Sequence, residues 1–296
     1  MPPRTQPPDP VHRKPASHCP AGAIDCHIHL FGPASRYPFD PGSRYVSDDA
    51  LPETNVSLQD ALGLAGAIVV SGGGYGPDTT HLEAVLRQHP GRFRGVALLP
   101  ENVTPADIAR LDRLGVRGAR FVSAAHRGNL PRLDTRVASM VADVGWHVQF
   151  YPGRDDLVDH ADALLGLPVP VVLDHFACLR ASAGVDQPGF GCLRRMLDSG
   201  RVWVKLSGPM RCSDLEPPYA DVAPIARALA LHSPERLLWG SDWPHVNMNG
   251  RTMPNDADLF DLLAQWVPDD ATRRRILVDN PRTVYGAFAQ PDRPAP

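Results

Sequence analysis

Two histidines two residues apart close a short apolar run, Ala23-Ile24-Asp25-Cys26-His27-Ile28-His29. In an extended strand alternate side chains share a face, so His27 and His29 would converge on one ion or one substrate atom, with Cys26 facing away into packing. Two later runs have the same form. Val171-Val172-Leu173-Asp174-His175 and Leu237-Leu238-Trp239-Gly240-Ser241-Asp242 are apolar stretches ending in groups that bind protons or metals. His175 and Asp242 therefore join His27 and His29 as candidate site residues. A carboxylate beside three imidazoles can take a proton from water, polarise a carbonyl or hold one ion. His147 in mid-strand, and His12, His18, His81, His89 and His232 in the lead-in, helices or loops, read as ordinary.

These residues need elements to position them. Short apolar segments are expected as strands at 23–30, 67–71, 94–99, 116–121, 146–151, 169–174, 202–206 and 237–241. Amphipathic stretches such as 79–88, 105–114, 135–144 and 224–231 alternate with them, with Asp or Thr near several starts. Near-continuously apolar strands separated by helices imply a parallel sheet covered on both faces. Eight such units imply an α/β protein built as a single closed (β/α)₈ TIM barrel, whose active site is assembled at strand C-terminal ends. His27, His29, His175 and Asp242 all fall at such ends. Residues 1–20 are expected as a disordered lead-in, 21–288 as the barrel and 289–296 as a tail.

Composition limits the function classes. Across 296 residues, 30 Lys and Arg face 33 Asp and Glu, a net charge of −3 that attracts neither nucleic acid nor anionic membrane. No apolar run approaches the roughly 20 residues of a membrane helix, and the proline-rich start lacks a signal peptide's apolar core. Five cysteines, an odd number at no paired spacing, suit a reduced cytoplasmic chain.

Several strings carry a family resemblance: Asp25-Cys26-His27-Ile28-His29-Leu30-Phe31-Gly32-Pro33, Tyr37-Pro38-Phe39, Tyr75-Gly76-Pro77-Asp78, Leu173-Asp174-His175-Phe176, Val204-Lys205-Leu206-Ser207-Gly208 and Trp239-Gly240-Ser241-Asp242-Trp243-Pro244-His245. With Gly115 to Phe121 and the closing Asp279 to Gly286, they make the chain resemble the amidohydrolase superfamily over about residues 21–288. Within it, the resemblance is to the lactone-hydrolysing branch, most closely the 2-pyrone-4,6-dicarboxylate lactonases.

That resemblance implies hydrolysis of a carboxylated lactone, a small anionic molecule from aromatic compound catabolism. Asp242 would be the general base for water, and His27, His29 and His175 would polarise the carbonyl. An isolated Asp is a weak base near neutrality, so its surroundings must raise its proton affinity or hold the water closely; Trp239 and Trp243 are the apolar neighbours expected to do so. Arg120 and Arg211 match substrate-carboxylate arginines of the family, with Arg127 a third, and Tyr151 and Tyr45 match its phenol contacts. Two departures stand out. The fourth and fifth strands end in Arg120-Phe121 and Phe150-Tyr151, so no ligand bridges two metals, and Gly72-Gly73-Gly74 replaces a hydroxyl side chain. The expectation is that no metal is required; if one is bound, His27, His29, His175 and Asp242 hold a single Zn²⁺. The alternatives are a Zn-dependent sulfomuconolactone or sugar-lactone hydrolase, or a decarboxylase of the same superfamily. Oligomeric state is not legible.

Overall fold

The computed structural model describes residues 2–128 and 130–288, so the expected 289–296 tail lies outside the described residues. In chain order the elements begin β1 (Ile24–Ile28), α1 (Pro52–Leu62), β2 (Gly66–Val70), α2 (Thr80–Gln88), β3 (Phe93–Leu98), α3 (Pro105–Leu114) and β4 (Val116–Val122). There follow α4 (Ala124–Arg127), α5 (Thr135–Ala142), β5 (His147–Tyr151), α6 (Leu157–Leu165), β6 (Val171–Leu173) and α7 (Pro188–Asp198). The chain continues through β7 (Val202–Ser207), α8 (Ala223–His232), β8 (Leu237–Gly240), α9 (Asp256–Trp266), α10 (Asp270–Arg274) and α11 (Asn280–Tyr285).

Local chemistry sets these boundaries. Thr104 and Asp107 form a reciprocal capping box, Pro105 pre-sets the first turn, and Gly115 ends α3 at φ 100 so that β4 begins at once. β6 starts two residues later than expected because Pro168 and Pro170 flank Val169 and have no N–H for the ladder.

All eight strands pair in parallel in sequence order, β1 to β8. The ring closes where His29 N donates to Trp243 O at 2.7 Å and Asp242 N donates to His27 O at 2.9 Å. The Asp25 carboxylate reinforces that seam by accepting the His27 and Ser241 backbone N–H groups, each at 3.0 Å. Gly240 is required there, since a Cβ would lie 2.7 Å from His27 N and Cβ. The expected (β/α)₈ barrel is therefore the fold.

The inner lining includes Ile24, Cys26, Ile68, Val70, Val96, Val172, Trp203 and Leu238, above Tyr285 of α11. The opposite strand faces pack outward against helices in a larger core. Cys26 is buried packing, as expected, but it belongs to the inner lining. The β1 register against β2 shifts between Asp25 and Ile28, which interrupts the alternation that would have turned Cys26 away from His27. Residues 2–20 make specific contacts: Thr5 N donates to Val46 O at 2.8 Å, Ser17 N to Asp261 Oδ1 at 2.7 Å, and Arg13 pairs with Asp258.

Candidate active site

Three strand ends bring the sequence candidates together. The Nε2 atoms of His27, His29 and His175 lie 3.8, 3.7 and 3.8 Å from one oxygen, Asp242 Oδ1. The other oxygen, Oδ2, accepts from Arg211 Nε at 2.9 Å and lies 2.8 Å from its terminal nitrogen. Two of these residues sit on strained backbone. His175 has φ 50 and Asp242 φ 70, and Phe176, Ala177, Cys178, His245, Asn247 and Asn249 also have positive φ. Such conformations cost on the order of 1 kcal/mol or more each for non-glycine residues, a cost the packed barrel rim absorbs to aim the side chains.

The far sides of the imidazoles are held as well. His29 Nδ1 is 2.8 Å from Val70 O, an acceptor only, so this nitrogen carries the proton and Nε2 presents a lone pair. His175 Nδ1 bonds Ser207 Oγ at 3.0 Å. His27 Nδ1 is 3.1 Å from Asp174 Oδ1 and 3.3 Å from Lys205 Nζ. Burial pushes His29 and His175 down to about 4, and His27 well below its ordinary value, so all three are neutral near pH 7.

Asp242 is corrected in one respect. Trp239 and Trp243 were expected to raise its proton affinity, and burial does push that way, but Arg211 and the three histidines outweigh it and hold the carboxyl well below the usual range. Trp239 instead packs against Phe260 of α9, 5.2 Å between ring centroids, on the helix-facing side.

A cavity of about 440 Å³ opens onto this cluster, and His29, His175 and Asp242 form part of its wall; His27 lies behind it, fully buried. Arg120, Arg211, Tyr45 and Tyr151 line it, as expected. Both arginines, however, already hold carboxylates. Arg120 donates to Asp174 Oδ2 at 3.1 Å and to Ser71 O at 3.0 Å, with its guanidinium 5.5 Å over the Tyr151 ring. Burial raises the Tyr45 phenol to about 12 and also lifts that of Tyr151, so both are neutral hydrogen-bonding groups. Gly72 makes room for Tyr45, since a Cβ there would sit 3.0 Å from its hydroxyl. Arg127 is in α4, but its side chain lies outside the described residues.

Sequence reasoning missed a second tier. Asp174, Lys205 and Gln149 are fully buried beneath the histidines. Lys205 Nζ donates to Gln149 Oε1 at 2.7 Å and lies 3.4 Å from Asp174 Oδ1. Burial alone would raise the Asp174 carboxyl, but His27, Lys205 and Arg120 hold it well below its usual range. The signal was present in Val-Trp-Val-Lys205-Leu, because a lysine inside an apolar strand needs a buried partner.

The donor set fits one ion. His27, His175 and Asp242 offer ligand atoms all within 4.8 Å of one another, and His29 Nε2 faces the same carboxylate oxygen. His27 Nε2 is buried without a hydrogen-bond partner, and the His29 lone pair faces an ionised carboxylate, an arrangement that a cation between them resolves.

Known proteins resemble this chain over most of its length. A 4-sulfomuconolactone hydrolase of Hydrogenophaga intermedia is 35% identical over 276 residues, covering 92% of this chain and 91% of its own. A 2-pyrone-4,6-dicarboxylate hydrolase of Comamonas testosteroni is 35% identical over 283 residues, covering 92% of each chain. The apo crystal structure of an Agrobacterium tumefaciens protein superposes with a TM-score of 0.80 at 29% identity, over 92% of this chain and 98% of its own. The amidohydrolase family model matches residues 24–287, and the chain belongs to that family.

Proposed function

We propose that the chain hydrolyses a carboxylated lactone of the 2-pyrone-4,6-dicarboxylate type to the ring-opened acid. The observation that carries this reading is the convergence of three imidazoles on Asp242 at the floor of a cavity walled by Arg120 and Arg211. Two relatives named for lactone hydrolysis, at 35% identity, support it.

Asp242 takes a proton from water as the water oxygen bonds to the lactone carbonyl carbon, then returns it to the ring oxygen as the ring C–O bond breaks. Its low proton affinity keeps it ionised and ready at neutral pH, at the expense of base strength. A substrate carboxylate that engages Arg211 weakens the grip of that guanidinium on Oδ2, so binding itself restores basicity. Arg120 and Arg211 take an anionic group of the substrate, and Tyr45 and Tyr151 donate to it.

The expectation that no metal is required rested on Arg120-Phe121 and Phe150-Tyr151 at the ends of β4 and β5. Those residues remove a bridging ligand and so exclude a two-ion site of that kind; they leave a single-ion set intact. His27, His29, His175 and Asp242 would hold one Zn²⁺, which when bound polarises a carbonyl and acidifies water. Direct action by the histidines would need one of them to donate from Nε2, a role that neutral His29 does not fill and that falls to His27 or His175.

The substrate partner is a small anionic lactone rather than nucleic acid or membrane, consistent with the −3 charge. Among the described residues no helix is long and apolar enough to cross a membrane. Five free cysteines support a cytoplasmic setting, and the relatives' names support a role in aromatic compound catabolism.

The test is a lactone panel of 2-pyrone-4,6-dicarboxylate, 4-sulfomuconolactone and galactaro-, fucono- and rhamnonolactone, run with chelator-treated and zinc-supplemented enzyme. Turnover of a carboxylated lactone is expected, with stoichiometric zinc and loss of rate on chelation. Full rate in metal-free enzyme would return the reading to direct action by the histidines; no turnover of any lactone would end it.

A further inference from the structure

The cavity holds cations at two depths. At the floor, Arg120, Arg211 and Lys205 face Asp174 and Asp242, three positive charges against two negative even before a bound Zn²⁺ is counted, so the floor retains a net attraction for an anionic group. At the mouth is Arg44, on the β1–α1 loop one residue before Tyr45. It is exposed, and it pairs with no carboxylate among the described residues. A single bond, NH1 to Ala125 O at 3.1 Å, carries its side chain across to α4, just beyond the strand that bears Arg120. The other guanidinium N–H groups have no partner among the described residues, although five such donors form a planar fork suited to an anion.

We propose that Arg44 is a specificity-determining residue: it takes the second, outward anionic group of a dianionic lactone, while the floor arginines take the first. This rests on the lactonase reading for turnover, though not for binding. A lactone with one anion satisfies the floor and leaves Arg44 in solvent. One with two is held at both ends, which fixes the ring over Asp242. Because Arg44 is exposed, its contribution is screened by salt, unlike that of the buried pairs.

The test compares wild type, Arg44→Met and Arg44→Lys on 2-pyrone-4,6-dicarboxylate and 2-pyrone-6-carboxylate, reading the ratio of KM for the monoanion to KM for the dianion. In parallel, calorimetry measures binding of isophthalate and benzoate, which have the same anion spacing and number but cannot be hydrolysed. Arg44→Met is expected to reduce both ratios about five- to tenfold, Arg44→Lys less, and raised salt should reduce the wild-type preference similarly. Unchanged ratios would overturn the proposal, as would equal losses on mono- and dianion, which would make Arg44 a purely structural strap. If no lactone is hydrolysed yet isophthalate binding depends on Arg44, the functional reading fails and this inference stands.

Discussion

The barrel interior has two layers, and they are held by different forces. Toward the strand starts, Ile24, Cys26, Ile68, Val96, Val172, Trp203 and Leu238 pack as an apolar plug over Tyr285. Toward the strand ends the same ring of strands presents His27, Gln149, Asp174, Lys205 and Asp242, all buried. The plug is stabilised by removing apolar surface from water, on the order of 25 cal/mol per Å². The upper layer goes the other way. It buries ions and holds its loops at positive φ; unpartnered polar atoms occur in both layers, at His27 Nε2, Gln149 Nε2 and Arg120 Nε above and at His147 and Tyr285 below. Such features cost stability unless something outside the chain completes them. Stability in this barrel is therefore concentrated in the lower layer, and substitutions in the two layers should separate in what they damage.

The largest expected effect is in the upper layer. Asp242→Asn keeps the carboxylate's shape but cannot accept the proton of water, and kcat should fall on the order of 10³-fold, within the range of a lost general base. Folding should be little harmed, since the amide oxygen can still accept from Arg211. Thermal unfolding and single-turnover kinetics would check both. A variant that keeps most of its kcat removes Asp242 from the base role and blurs the division between layers.

Next is Arg120→Met. It removes a cation from both Asp174 and the substrate, so kcat/KM on a dicarboxylate should fall about 10²-fold, with a smaller loss on a neutral lactone. Asp174 keeps Lys205 at 3.4 Å, so the stability cost should be about 1–3 kcal/mol rather than that of a fully orphaned charge. Equal losses on charged and neutral substrates would make Arg120 structural and shift it to the stabilising side of the comparison.

The sequence showed the layers unequally. The eight strands and the three reactive strand ends were legible because they depend on local apolar runs and their last residues. Cys26 was misplaced because the β1 irregularity depends on pairing with β2, which no local pattern records. The proton affinity of Asp242 was misjudged for a related reason. Its adjacent tryptophans are near in sequence, whereas Arg211, 31 residues away, and the histidines of β1 and the β6 loop are near only in space. The Asp174–Lys205–Gln149 tier was hidden in the same way, each residue unremarkable until three strands meet. A charge inside an apolar run is the one local sign that such a meeting occurs.

The smallest effect tests the lower layer on its own terms. His147 begins β5 and meets Tyr285 edge-on, 5.2 Å between ring centroids. Burial lowers it to about 3, so the folded protein holds it neutral where the unfolded chain, with an ordinary histidine value near 6.5, binds a proton. Between those values the unfolded state binds more protons, and stability must therefore fall as pH drops from about 6.5. His29 and His175, lowered to about 4, act in the same direction, while Asp25, raised to about 7, opposes them. His147→Phe deletes one such proton, so the loss of unfolding free energy between pH 7 and pH 5 should shrink by about 2 kcal/mol. Urea titrations at the two pH values measure this, and the difference is the readout even if the larger ring costs absolute stability. Turnover at pH 7 should stay near wild type, because His147 does not line the cavity and its ring nitrogens bond to none of the site residues. An unchanged acid sensitivity would show that His147 is solvated or partnered in solution, and the lower layer would then not be the dry layer that sets it apart from the site above.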